Sequence, residues 1–187
     1  MMAKAPPPIK TVVTYLEQLH RPKLFYPMPV NQHAALMRVS KIPLHFYRYL
    51  QIRTGRELHW VARLRLDDNA LEKVVHAPEA SVHVLYLNGA PAGFFELCKT
   101  DSKTVNLEYF GLMNHAKGRG LGRWFLAQAL DAAWDSDPLR VTVNTCTLDH
   151  SAALPLYQKF GFSPIGQSET FIHPLSDADL LRLIKMC

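Results

Sequence analysis

Apolar residues recur along this chain with two periods, and the switches between them mark the elements. Thr11 to Leu19 reads as an early strand after a loose arm of residues 1–10, and three prolines between Arg21 and Pro29 make the loop that follows. From Pro43 to Ile52, Phe46, Tyr47, Tyr49 and Leu50 fall at helical spacing, with Gly55 as a stop. A second helix is expected from Asp68 to His76, capped by Asp67 or Asp68 and ended before Pro78. The period then shortens. Val82, Val84 and Tyr86 face Phe94 and Glu96 across Asn88-Gly89-Ala90-Pro91, the signature of a β-hairpin. Thr104 to Leu112 continues the sheet. A glycine-rich turn follows, then a helix with Leu121, Phe125, Ala129 and Ala133 on one face, ending before Asp135 to Pro138. Leu139 to Leu148 is a strand again, so this stretch predicts two parallel strands joined by a helical crossover. A short helix to Phe160, strand-like segments at Ser163 to Gly166 and Glu169 to Ile172, and an amphipathic stretch from Ser176 to Lys185 complete a mixed α/β chain.

Composition narrows the class. With 187 residues, 48% of them hydrophobic and 20% charged, one well-buried core and a single domain spanning residues 1–187 are expected. No apolar run approaches a membrane span of about 18 residues. Met1 to Pro8 carries no apolar leader, which predicts a cytoplasmic protein with no membrane partner. Cys98, Cys146 and Cys187 fit no metal-ligand spacing, so reduced thiols and no bound metal are expected. The net charge of +5 favours an anionic partner. The basic residues are dispersed among apolar ones, which favours a small phosphorylated ligand over nucleic acid.

The turn Lys117-Gly118-Arg119-Gly120-Leu121-Gly122 stands between a strand and a helix. Alternate glycines bare the backbone amides there, and the unpaired first amides and the dipole of the helix favour a pyrophosphate. Lys117, Arg119 and Arg123 add positive charge. The turn lacks the Gly-Lys-Ser/Thr of nucleotide triphosphatases, and Arg123 stands where the dinucleotide fingerprint needs its third glycine. About forty residues on, His150-Ser151-Ala152-Ala153-Leu154-Pro155-Leu156-Tyr157 leads to Gly161-Phe162. Gly161 suits the left-handed position after a helix, and such a cap brings Phe162 onto Tyr157.

Together the two segments resemble the GCN5-related N-acetyltransferase (GNAT) family. Its pattern is Gln/Arg-x-x-Gly-x-Gly/Ala after the fourth strand, then a fifth strand and a helix carrying Asn-x-x-Ala-x-x-Leu-Tyr and a terminal Gly-Phe. Lys117 stands here for Gln or Arg, and His150 for Asn. The resemblance implies a central mixed sheet whose fourth and fifth strands splay apart. It also implies acetyl-CoA as acyl donor, a primary amine as acceptor, and direct attack of one on the other. Coenzyme contacts would come from Leu112, Lys117, Gly118, Arg119, Gly120, Gly122, Arg123, His150 and Ala153. The Leu112 amide would face the acetyl carbonyl, and Tyr157 would protonate the departing thiolate. The acceptor would lie against the first two helices, where His45, Tyr49, His59 and Trp60 are candidates.

Other roles stay open in the sequence. Asn106, Glu108 and Phe110 alternate onto one face of their strand, where Glu108 is the only carboxylate, either the base or an ordinary ion-paired residue. Asp149 is expected to cap a helix rather than relay protons with His150, and Cys146 to fill space. A non-catalytic acyl-CoA sensor would keep the turn without needing Tyr157, and a nucleic-acid-binding module would need the charge alone. Leu175, Leu180, Leu183 and Ile184 suit either a sheet edge or a second copy in a homodimer.

Overall fold

The computed structural model describes residues 6–23 and 25–187. The first five residues of the expected arm lie outside them, and the chain is already in a strand at Ile9. Seven strands form one sheet: β1 (Ile9–Gln18), β2 (Ala34–Val39), β3 (Ala80–Leu87), β4 (Ala90–Lys99), β5 (Thr104–Leu112), β6 (Arg140–Cys146) and β7 (Ser163–Ile172). Helices α1 (Leu44–Gly55) and α2 (Asp68–Val75) precede β3. Helix α3 (Leu121–Trp134) links β5 to β6, α4 (Ala153–Lys159) links β6 to β7, and α5 (Asp177–Lys185) comes last.

The strand order is β2-β3-β4-β5-β6-β1-β7, and among the described residues only β5 and β6 are parallel neighbours. Strand β1 therefore returns from the start of the chain to lie between two strands of the second half, antiparallel to both. Gln18 fastens its end. It is buried, donates to the Phe160 carbonyl and accepts from Trp134 Nε1 at 2.7 Å. Strand β7 is continuous rather than two segments, because a bulge opposite Tyr15 and Leu16 absorbs Ile165.

Strand β2 has no counterpart in the sequence reading. Its Ala-Ala-Leu-Met-Arg run favours helix intrinsically, and pairing with β3 along the sheet edge overrides that preference. The hairpin forms as expected. Asn88 and Gly89 both take positive φ (50° and 82°), the conformation a two-residue turn between twisted strands requires.

Alternation along the strands divides the core between the two faces of the sheet. Phe95, Leu97, Val105 and Leu107 pack with Phe125 and Leu130 of α3 and with Tyr157 of α4. Val82, Val84 and Phe94 meet Tyr47 and Leu50 of α1 and Leu71 of α2 on the other. Helix α5 contributes Leu183, which packs with Ile52 and Leu64.

His83 of β3 stacks on Phe95 with ring centroids 4.5 Å apart, and its Nδ1 is buried without a partner. Burial, aided by Arg38 on the neighbouring strand, lowers its pKa from 6.5 to about 4. The folded state then binds fewer protons than the unfolded state between those values. Stability should hold above pH 6.5 and fall towards pH 4, by roughly 2–3 kcal/mol. Urea melts across that range should show the slope, and His83→Phe should remove it.

Candidate active site

Strands β5 and β6 pair over only four positions, from Thr104↔Arg140 to Leu107↔Val143. Beyond them β5 stays with β4 as far as Gly93↔Leu112, while β6 follows β1, so a cleft opens between the parallel strands. Met113 donates to the Ala92 carbonyl at 2.8 Å. In an antiparallel ladder the pairing sense alternates, so the amides of Leu112 and Phe110 point away from β4 into the cleft. The cleft widens into a cavity of about 730 Å³ that reaches from the glycine-rich turn to the far end of β7.

At one end of the cavity stand Lys117, Gly118, Gly120 and Gly122. Gly118 and Gly120 both have φ of 75°, a conformation that side chains strain. A Cβ built at Gly118 or Gly122 would meet nothing within 4 Å, so the space over the turn is open to a ligand. Gly120 sits at the N-cap of α3, where no side chain caps the first amides. Those donors are available to an anion, and a 14-residue helix stands behind them. Lys117 Nζ is 2.8 Å from Asn114 Oδ1 beside the turn. Arg119 and Arg123 are exposed and outside the cavity wall.

Tyr157 lies on the opposite wall, fixed by the end of its own helix. Gly161 takes φ of 91°, Phe162 N–H donates to the Tyr157 carbonyl at 3.1 Å, and Gly161 N–H donates to that of Gln158 at 3.0 Å. These two bonds make the expected cap. Phe162 then packs edge-on against Tyr157 at 5.8 Å. Burial, with a smaller contribution from the Asp149 carboxylate, pushes the Tyr157 hydroxyl well above its usual pKa of 10.

Asp149 does not cap α4 as the sequence suggested. Its Oδ2 accepts from Thr145 Oγ1 at 2.8 Å and from the Cys146 amide at 2.9 Å, turning back onto β6. The nitrogen near the start of α4 is that of His150, whose Nδ1 accepts from the Ala152 amide at 3.2 Å. Asp149 Oδ1 receives Trp60 Nε1 from across the cavity at 3.3 Å. The indole is wedged between two glycines. A Cβ at Gly55 would collide with its ring, and one at Gly111 would lie 3.1 Å from Cη2.

The bulge that sets Glu108 in place is visible only in the strand pairing. Glu96 faces Tyr109 while Leu97 faces Leu107, leaving Glu108 as the extra residue of β5. Consequently Glu108 and Tyr109 both point towards Arg63, in the segment between α1 and α2, and Phe110 turns to the other face to pack at a tilt against Phe125 at 5.0 Å. The expected alternation of Asn106, Glu108 and Phe110 onto one face thus breaks after Glu108. Arg63 bridges Glu96 (3.0 Å) and Glu108 (3.5 Å), and Asn106 Nδ2 donates to Glu108 at 2.6 Å. Glu96 is fully buried and also accepts from the Tyr47 hydroxyl, which in turn accepts from Gln51 at 2.8 Å. Burial raises the Glu96 carboxyl above its ordinary value, while Arg63 and the Tyr47 hydrogen bond work against that rise.

The structure thus gathers Glu108, Leu112, Lys117, Gly118, Gly120, Gly122, His150, Ala153, Tyr157, His59 and Trp60 around one cavity, with Cys146 also on its wall. His45 and Tyr49 are not among its lining residues. His45 is exposed, and Tyr49 stacks on Phe46 and lines a smaller pocket with Ile184 and Cys187. Helix α1 buries Tyr47, Leu50, Gln51 and Thr54, which leaves these two on other faces. Sequence reasoning missed Arg63 and Glu96 as the ion pair behind Glu108, and the bond of Asp149 to Trp60. A charged residue at a core-facing position of the Phe94-Glu96 run was the signal available for Glu96.

The acetyltransferase (GNAT) family model matches residues 44–162, more than half of the chain, and the chain belongs to that family. Its fold is similar to that of a tandem GNAT protein from the clavulanic acid biosynthesis pathway (TM-score 0.62, 15% identity, 92% of this chain and 56% of that one). It is also similar to an aminoglycoside N-acetyltransferase solved with CoA (TM-score 0.52, 17% identity, 73% and 92% of the chains). A third is an IAA acetyltransferase from Bacillus cereus (TM-score 0.52, 21% identity, 71% and 79%). The chain spans less than two thirds of the length of several such structures, 64%, 56% and 55% in three of them. No curated protein matches it. Among the described residues no helix is long and apolar enough to cross a membrane.

Glu96→Leu should leave the half-buried Arg63 with only its longer contact to Glu108, at a cost of about 3 kcal/mol in unfolding free energy. Glu96→Gln, which keeps an acceptor for Arg63 and Tyr47, should cost less than half as much.

Proposed function

We propose that this chain transfers an acetyl group from acetyl-CoA to a primary amine by direct attack. The observation that carries the reading is the continuity of one cavity along the bare amides of the glycine-rich turn, the unpaired edge of β5 and the Tyr157 side chain. The turn offers donors for a pyrophosphate, and the β5 edge offers the Phe110 and Leu112 amides to an extended amide-bearing arm and to a thioester carbonyl. Ala153 and His150 stand on the opposite side of the same path.

Three roles must be filled for aminolysis of a thioester. The ammonium has to shed a proton, and Glu108, the extra residue of the bulge, presents its carboxylate to the cavity for that step. Arg63 and Asn106 hold it in place. As the nitrogen bonds to the carbonyl carbon, the Leu112 and Phe110 amides stabilise the developing oxyanion. When the carbon–sulfur bond breaks, the electron pair stays on sulfur and Tyr157 supplies the proton, and the proton that the nitrogen sheds on becoming an amide restores the phenol. Burial keeps that hydroxyl protonated throughout the ordinary pH range, and the same low-dielectric surroundings make the thiolate more basic.

Titration calorimetry with acetyl-CoA should show binding at tens of micromolar or tighter, an order of magnitude suited to a site of this size. Gly120→Asp should abolish it, because a carboxylate would stand where phosphate approaches. Tyr157→Phe should leave binding intact and lower kcat by about 100-fold in a thiol-release assay. Unchanged turnover in that variant would remove Tyr157 from the reaction.

A further inference from the structure

The cavity extends beyond the part that the coenzyme reading uses. Past the Trp60–Asp149 bond its wall comes from the segment between α1 and α2 and from the end of β7. Leu58, Val61, Ala62, Phe171 and Ile172 make that wall apolar, and the Trp60 indole closes its floor. Three nitrogen-bearing side chains, His59, Arg65 and His173, stand on the same wall.

The charge pattern is one-sided. Among the described residues the only carboxylates lining the cavity are Glu108 and Asp149. Glu108 is held by Arg63 and Asn106, and Asp149 by Trp60, Thr145 and the Cys146 amide. Neither is free to bind a second ammonium group. Arg65 uses Nη2 for the carbonyls of His173 (2.6 Å) and Pro174 (3.2 Å), and its Nη1 and Nε have no acceptor among the described residues. The nearby Asp179 is engaged by the Ser176 hydroxyl and amide in the cap of α5. Those two carbonyl bonds spend the Nη2 hydrogens and hold the guanidinium in place, which leaves Nε and Nη1 as charged donors to an anion.

We propose that the acceptor is a primary amine on a compact apolar body bearing an anionic group of the carboxylate kind, and not a polycation. The apolar wall takes the body and Arg65, with His59 and His173 beside it, takes the anion. The amine then points back past Trp60 towards Glu108. The inference rests on the acetyl-transfer reading above.

A matched series tests it: 4-(aminomethyl)benzoate, benzylamine and 4-(aminomethyl)benzylamine share one body and differ in carrying an anion, nothing or a second cation. In a thiol-release assay with acetyl-CoA, kcat/KM should fall along that order, by about tenfold between the first two, the size of one charge-assisted hydrogen bond. Arg65→Gln, which retains an N–H donor for the His173 carbonyl, should lower kcat/KM about tenfold for the benzoate alone. Its KM for acetyl-CoA and its rate with benzylamine should not change. Preference for the dication or the neutral amine, equal losses for all three in Arg65→Gln, or no turnover of any of them by protein that binds acetyl-CoA would each overturn the acceptor class while leaving coenzyme binding intact. Absence of acetyl-CoA binding in calorimetry would instead remove the reading beneath it.

Discussion

A parallel pair of strands that parts after four residues is the constraint on which the site depends. Backbone groups at a parted edge lack their ladder partners, and an edge buried in protein would lose several kcal/mol unless something else satisfied it. Here the parting is held open from outside. Strand β4 stays paired with β5 to Leu112, β1 stays paired with β6 to Cys146, and the Trp60 indole braces the gap by bonding to Asp149. A ligand with alternating amides would complement such an edge, and in the proposed reading its phosphates would meet the uncapped amides at the start of α3.

Much of this was legible because it is local. Asn88-Gly89 specifies its turn through two positive φ angles, Gly161 its cap through one, and the strand, turn and helix from Thr104 to Trp134 are set by neighbouring residues. The features that escaped are those in which distant segments decide. The bulge at Glu108 exists only relative to β4, so a strict alternation placed Phe110 on the wrong face. Arg63 and Glu96 are 33 residues apart and meet only once α1 packs on the sheet. Helix-favouring residues in β2 are overruled by pairing with β3, and Asp149 is claimed by a strand and an indole rather than by the helix that follows it. Nor does local pattern say which strands receive β1.

The acid and base of the proposed reaction sit in contrasting surroundings. Burial holds the proton on Tyr157, and the nearby Asp149 carboxylate adds to it. Glu108 shares a guanidinium with a fully buried glutamate and is itself partly open to the cavity. The buried Glu96 thus serves the site at one remove. By anchoring Arg63 from behind, it fixes the cation that stands beside Glu108.

Strand β1 has a consequence for how the molecule is made. Its partners are residues 140–146 and 163–172, so more than 120 residues separate it from the first of them. During synthesis at the ribosome this segment must wait until residues 140–172 have emerged. Loop closure over such a distance is entropically costly and slow. Until it docks, β6 has no neighbour on that side and the cleft has one unsupported wall. Folding of the first half therefore cannot by itself complete the cleft, which takes shape in a late step when β1 is zipped between β6 and β7.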